Sequence, residues 1–250
     1  TRKFTLTGNI QQLTWKDNHD EIVKNNLYSC LNLSCNIIYK VTDYLNETTM
    51  IVQPISYSSD SYADTLANKS NSTIKITLDN WYKDNMTAYT SYLADETFCN
   101  DRSITDGSGY LTTPTTNYGA FNRLSNKKSP SLKCSQDNDK FTLTNVRAKL
   151  DYPVSLITAD EASIAGGVSN MSNSNYYLYN GQYTWLFSPS IFGSNYSYAL
   201  FWSIHSSGSL YPWDFVTYLF GVRPVVNLRS DIKIAKGDGT ALNPYVVSLD

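Results

Sequence analysis

Histidine and cysteine are scarce in this sequence, which has two histidines and four cysteines among 250 residues. Neither His19 nor His205 lies in a His/Glu cluster, and no cysteine pair has the CxxC spacing of a zinc site. Phosphate and dinucleotide motifs are also missing, because the "AGG" and "GDG" stretches are too short to form them. The sequence therefore predicts no metal and no cofactor.

Charged residues are also few, at 17% of the chain against about 25% in typical domains. The formal net charge of -2 provides no general attraction to phosphate backbones, so we expect no nucleic-acid partner. No run approaches the roughly 20 apolar residues of a membrane-spanning helix, so we expect no span in this chain. Neutral polar groups and tyrosine, of which there are 20, must cover much of the surface.

The even number of cysteines in this charge-poor chain favours two disulfides formed in an oxidising compartment. Three pairings are possible, and four reduced thiols are the alternative. Proximity in sequence favours Cys30–Cys35 and Cys99–Cys134.

Regular elements are predicted along most of the chain. Apolar residues recur at helical spacing after Ser72 or Thr73 in "STIKITLDNWYKDNMTAYTSYLADE", and Thr158 begins a second helix with a capping box that Gly166 and Gly167 follow. We predict β-strands for Tyr152–Ile157 and for "GVRPVVNLRSDIKI" and "NPYVVSL".

Turn signals separate these elements. Hairpins are expected around Asn46-Glu47 and at Asn180-Gly181. Ser103 to Asp139 is rich in Gly, Ser, Thr and Asn, which predicts surface loops, and the adjacent Asp101 and Arg102 are expected to fix a loop by hydrogen bonds.

The segment Gly193–Phe220 differs in composition from the rest, with nine aromatic residues, one acid, one histidine and no Lys or Arg. Tyr and Trp with Ser, Gly and Asn are typical of binding surfaces, because rigid rings give contact area at low entropic cost. A Ser–His–Asp triad can be written from Ser203 or Ser206 with His205 and Asp214, but no GxSxG motif accompanies it. We expect four apolar side chains of the segment in the core: Phe201, Ile204, Leu210 and Val216.

Four motifs in order give the C-terminal half a family resemblance: "YPVSLITADEASIAGG", "YYLYNGQYTWLFSPS", "GVRPVVNLRSDI" and "GDGTALNPYVV". The earlier stretches "LDNWYKDNMTAYTSYLADETFCNDRS" and "LKCSQDNDKF" extend it to about Ser72–Asp250. They resemble a bacterial and phage family in the formylglycine-generating-enzyme branch of the C-type lectin fold, which includes variable proteins diversified by retroelements. Two activities found among such folds lack their residues here. No Cys follows Cys134 for formylglycine generation, and the Glu-Pro-Asn and Trp-Asn-Asp motifs of calcium-dependent lectins do not occur.

The resemblance implies an α+β, C-type-lectin-like fold with two main helices, short mixed or antiparallel strands and long loops, spanning residues 73–250. Residues 1–72 would be an N-terminal β-rich elaboration packed on this domain. The displayed variable segment would be 191–220, between Ser188-Pro189-Ser190 and Gly221-Val222-Arg223-Pro224, with Arg223 holding its end to the core.

The ligand-contacting residues that the resemblance implies are aromatic, with one histidine: Tyr196, Tyr198, Trp202, His205, Tyr211, Trp213, Phe215 and Tyr218. Trp202 and Trp213 depart from the family pattern, because adenine-directed mutation of Asn codons does not produce Trp.

The resemblance implies a non-enzymatic receptor or adhesion protein, located extracellularly, on a cell surface or on a phage particle. Its partner would be a protein or glycan on another cell or host surface. The alternatives are a structural subunit of a pilus-like surface appendage and a carbohydrate-active enzyme.

Overall fold

The computed structural model describes residues 30–31, 34–35, 66–69, 71–109, 114–193, 198–216, 218–238, 243 and 245–248. It is a mixed α+β structure with antiparallel sheets, which confirms the predicted class. The hairpin predicted around Asn46-Glu47 lies outside the described residues. The C-type-lectin-like assignment and the domain boundary after residue 72 stay predictions.

The described elements begin with two short strands, β1 (Cys30–Leu31) and β2 (Ser34–Cys35), whose backbone register pairs Cys30 with Cys35. Helix α1 (Thr73–Asn85) follows. The side chain of Ser72 accepts a hydrogen bond from the Lys75 amide at 3.1 Å, and the helix buries its apolar face in the core.

The first helix is shorter than its apolar spacing predicts. It ends at Asn85 and the chain continues as a 3-10 helix, Thr87–Tyr92. The hydroxyls of Thr87 and Thr90 donate to the backbone carbonyls of Lys83 and Thr87. Such side-chain bonds compete with the α-helical pattern, which accounts for the change.

The main sheet has five antiparallel strands in the order β4-β5-β7-β8-β9. These strands have the following bounds: β4 Ile104–Asp106, β5 Thr116–Tyr118, β7 Thr184–Gly193, β8 Tyr198–Ile204 and β9 Leu210–Phe215. Two smaller sheets pair β3 (Phe98–Cys99) with β6 (Lys140–Phe141), and β10 (Lys233–Lys236) with β11 (Val246–Ser248).

The described residues of 103–139 form surface loops only in part, chiefly at 128–136. They supply β4 and β5 to the main sheet, and then a turn of helix α2 (Gly119–Phe121) that continues as a π-helix, Asn122–Lys127. Another 3-10 turn, Asp137–Asp139, precedes β6. Strands of only three residues are too short to give a periodic signal, so the sequence cannot show them.

Helix α3 (Ala159–Ile164) has the predicted capping box: the Thr158 hydroxyl accepts from the Glu161 amide, and the Glu161 carboxylate accepts from the Thr158 amide. The chain turns at Gly166, where φ is +121° and an added Cβ would lie 2.9 Å from the Cβ of Tyr176. Glycine is required there on both counts.

The hairpin predicted at Asn180-Gly181 is wrong. A turn exists, because Gly181 has φ +75° and the Gln182 amide donates to the Asn180 side chain at 3.1 Å. The residues before it form no strand, since Tyr176 and Leu178 are buried in the core and the Tyr176 hydroxyl donates to the Gly208 carbonyl. Strand β7 pairs with β5 and β8 instead.

Two other strand predictions hold only in part. Tyr152–Ile157 makes a single β-bridge, from Ser155 to Val225, although its apolar residues are buried. In the predicted strands "GVRPVVNLRSDIKI" and "NPYVVSL", the ladder that the structure describes is shorter: Lys233–Lys236 pairs with Val246–Ser248 in antiparallel orientation.

Two ion-pair networks hold the region between α1 and α3. Arg102 donates from Nε to Asp139 at 2.7 Å, as expected for a residue that fixes a loop. Arg123 donates to both oxygens of Asp160, at 2.8 and 2.7 Å, and from Nη1 to Asp101 at 2.6 Å. Although burial opposes it, the hydrogen bonds and charges of these two aspartates raise the pKa of Arg123.

The Cys99–Cys134 disulfide is present and closes the base of this region, as the sequence predicts. A Cys99→Ser/Cys134→Ser variant should lose about 3–4 kcal/mol of unfolding free energy, because the bridge restricts the unfolded chain over a separation of 35 residues. Urea unfolding measures this loss. An unchanged unfolding free energy would show that the bridge contributes nothing.

Arg123→Met should lower the unfolding free energy by about 3–5 kcal/mol, because it leaves the buried Asp160 and the mostly buried Asp101 without their cation. The control is Arg229→Met, which breaks an exposed pair with Asp231 and should cost less than about 1 kcal/mol. Equal losses in the two variants would contradict a structural role for the Arg123 network.

Candidate ligand-binding site

An extra residue in β9 sets the geometry of the candidate site. The register pairs Phe201 with Asp214 and Ser203 with Tyr211, so two steps along β8 match three steps along β9. This is a β-bulge next to Pro212, which has no amide hydrogen to donate to a regular ladder. Because Phe201 and Ser203 share one face of β8, the bulge places Tyr211 and Asp214 on that same face.

The β8–β9 connection is a tight hairpin turn. The Gly208 amide donates to the His205 carbonyl at 2.8 Å, and the His205 amide donates to the Ser209 carbonyl at 2.9 Å. Gly208 has φ +78°, and an added Cβ would lie 1.8 Å from the carbonyl oxygen of Asn173. Only glycine allows this close approach, which fixes His205 at the end of β8.

Beside this hairpin is a cavity of about 700 Å³. Five of the predicted contact residues line it: His205, Tyr211, Trp213, Phe215 and Tyr218. Sequence reasoning did not select the other four lining residues: Tyr183, Leu200, Asp214 and Phe220. The 191–220 segment therefore brings five of its predicted contact residues to one cavity.

The rings of the cavity form a continuous chain of contacts. From Tyr211 the chain passes to His205 at 4.2 Å between ring centroids, and from His205 to Tyr183 at 4.7 Å. It continues from Tyr183 to Phe220 at 5.0 Å, from Phe220 to Tyr218 at 5.9 Å and from Tyr218 to Phe215 at 5.2 Å. Because each ring limits the side-chain rotation of its neighbour, the aromatic wall is preorganised.

The backbone explains why Tyr183 and Phe220 belong to this wall. The Gly221 amide donates to the Tyr183 carbonyl at 2.9 Å, and the Trp185 amide donates to the Gly221 carbonyl at 2.9 Å. These bonds bring the start of β7 beside the end of the 191–220 segment. Contacts between residues so distant in sequence leave no local signal, which is why sequence reasoning missed both residues.

The one acidic group among the described lining residues is the carboxylate of Asp214, which is almost completely buried. Its Oδ2 accepts a hydrogen bond from the Ser203 hydroxyl and contacts Nε2 of His205 at 2.9 Å. Asp214 is the only acid in the segment from Gly193 to Phe220. This isolated charge is the feature of the sequence that could have identified it as a site residue.

Trp202 was predicted to contact the ligand, but its side chain is 0% exposed and therefore belongs to the core. Strand β8 lies between β7 and β9, and both of its faces are covered, so Phe201 and Trp202 are buried although they point to opposite faces. Tyr196 lies outside the described residues. Tyr198 begins β8, but its side chain is outside the described part.

The four expected core residues are confirmed, with Phe201, Ile204 and Leu210 fully buried and Val216 partly buried against the core. Phe201 stacks on Trp185, and Phe220 contacts Phe201 edge-on at 5.7 Å. The cavity wall thus rests directly on the core.

Arg223 holds the end of the segment to the core, as expected. It is 5% exposed and donates from Nη1 to the Leu178 carbonyl. Burial lowers the pKa of Arg223 to about 10. Burial also raises the pKa of Tyr176, which interacts electrostatically with Arg223, to about 12.

Within the described residues, no cluster of three or more His, Cys, Asp or Glu side chains could hold a metal ion. No described helix combines the length and apolarity needed to cross a membrane. Comparison with protein-family models, curated proteins and solved structures finds no match to this chain.

Alanine substitutions distinguish the core from the cavity wall. Trp202→Ala should cost about 3–5 kcal/mol of unfolding free energy, because it empties a fully buried site. Tyr218→Ala should cost about 1 kcal/mol or less, since this side chain is 41% exposed. Chemical denaturation measures both, and a larger loss for Tyr218 than for Trp202 would contradict the assignment.

Proposed function

We propose that this protein is a non-enzymatic receptor or adhesion protein that binds its ligand in the aromatic cavity of the 191–220 segment. The observation that carries the proposal is the convergence of five predicted contact residues on one preorganised cavity. Aromatic side chains lose little conformational entropy on binding, so such a wall suits recognition.

A C-type-lectin-like scaffold for this segment is part of the proposal. This scaffold is supported by a difference in burial: the framing motifs are buried, whereas rings of the segment are half-exposed. Ser188 and Ser190 are buried in β7, and the Ser188 hydroxyl accepts from the Ala159 amide at 3.0 Å. Val222 and Arg223 are buried after the segment. Fixed ends around half-exposed rings would allow surface residues to change without loss of the core.

The arrangement around Asp214 supports binding over nucleophilic catalysis. In a Ser–His–Asp triad the histidine stands between serine and aspartate. Here the aspartate stands between them, because Ser203 and His205 both contact Oδ2 of Asp214. Ser203 is also 0% exposed, so its hydroxyl is not accessible to a substrate.

The location and the diversification by a retroelement are proposals too. The Cys99–Cys134 disulfide supports an oxidising location, such as a cell surface or the outside of a phage particle. Diversification predicts a reverse-transcriptase gene and a template repeat of the 191–220 coding segment beside this gene. Sequencing of the locus tests this, and a locus without them would exclude diversification while leaving ligand binding open.

A triple variant tests the proposed function. Tyr211→Ala/Trp213→Ala/Tyr218→Ala should abolish binding seen for the unmodified protein on arrays of glycans and purified extracellular proteins, because it removes three rings of the wall. The control is Tyr177→Ala, which removes an exposed tyrosine that does not line the cavity. Thermal unfolding confirms that each variant is folded.

The outcome separates the alternatives. Signals that survive in the folded triple variant would show that ligands bind elsewhere. Self-association of the protein that the triple variant abolishes would instead favour a subunit of a surface assembly, and turnover of glycans on the array would favour a carbohydrate-active enzyme.

A further inference from the structure

The cavity has the electrostatic character of a site for a positively charged group. Its described lining contains one carboxylate, Asp214, and no Lys or Arg. The whole segment from Gly193 to Phe220 also lacks Lys and Arg. A ligand cation entering this cavity would therefore meet no lysine or arginine side chain from the segment that forms most of the wall.

The aromatic wall also attracts positively charged groups. The faces of aromatic rings carry negative electrostatic potential and attract ammonium and guanidinium groups, most strongly where water is excluded. Six aromatic residues besides His205 line this one space: Tyr183, Tyr211, Trp213, Phe215, Tyr218 and Phe220. Neutral ligands would gain stacking from these rings but not this electrostatic component.

The two oxygens of the Asp214 carboxylate differ in their contacts. Ser203 and His205 both contact Oδ2, which fixes the orientation of the Asp214 side chain. Oδ1 accepts no hydrogen bond from the described residues, and Asp214 lines the cavity.

From these observations we infer that the cavity binds an organic cation, an ammonium or guanidinium group, between its aromatic rings and Oδ1 of Asp214. This inference rests on the proposed function, since it specifies the ligand of the same cavity. The cation can belong to a lysine or arginine side chain of a protein ligand or to a free small molecule such as choline. Both sources present the same chemistry to the site.

The test is a two-dimensional NMR titration with matched charged and neutral probes. The cations are choline, Nα-acetyl-lysine methylamide and Nα-acetyl-arginine methylamide. The neutral counterparts are 3,3-dimethylbutan-1-ol, which has the shape of choline with carbon in place of nitrogen, and Nα-acetyl-norleucine methylamide. At least one cation should bind at least about tenfold more tightly than its neutral counterpart, with shifts at Tyr211 and Trp213. Preference for choline or for the blocked amino acids identifies the source.

Two variants separate the charge from the rings. Asp214→Asn keeps the shape of the side chain and should weaken cation binding about tenfold, while binding of the neutral probes stays unchanged. Tyr218→Leu keeps an apolar side chain but removes one ring face, and it should also weaken cation binding. Tyr177→Leu, outside the cavity, should have no effect. Thermal unfolding confirms that all three are folded.

Equal affinity for charged and neutral probes would overturn the inference, as would the absence of saturable binding by all three cations. Unchanged cation binding in folded Asp214→Asn would overturn it as well. These failures differ from failure of the proposed function, because array signals that the triple variant abolishes would still place a ligand of other chemistry in the cavity.

Discussion

The candidate site depends on the β-bulge that offsets β9 against β8. A regular ladder would place Tyr211 and Asp214 on opposite faces of β9, because they are three residues apart. With the extra residue next to Pro212, both face the same side as Ser203 and Phe201. Asp214 then reaches Ser203 and His205, and the hairpin turn at Gly208 holds the imidazole in place.

The rigidity of the wall comes from the core beneath it. Strand β8 is buried on both faces, and Phe201 connects the core residue Trp185 with the wall residue Phe220. Behind Trp213, Phe121 makes an edge-on contact at 5.4 Å, and Arg123 ties the helical turn of Phe121 to Asp160 and Asp101. The ion-pair network thus supports the cavity from a part of the chain distant in sequence.

The sequence was sufficient where the structure depends on neighbouring residues. The Ser72 cap, the Thr158–Glu161 capping box and the Cys99–Cys134 bridge are local or strongly constrained features, and all three are present. The family resemblance also placed five lining residues of the cavity among the expected contact residues. It failed for Trp202, because an amino acid suited to binding is equally suited to a buried central strand, and for Tyr183 and Phe220, which meet only through long-range backbone bonds. The strands β4 and β5 were missed for the same reason, since three residues of mixed character become a strand only when a neighbour pairs with them.

The central claim is that the cavity is a recognition site and not an incidental gap in packing. It is tested most directly by a crystal structure of the protein with whichever array ligand gives the strongest signal. The account predicts that the ligand lies between the rings of Tyr211, Trp213 and Tyr218, with a donor group at Oδ1 of Asp214. A ligand bound to another face, with the cavity occupied only by water, would contradict it.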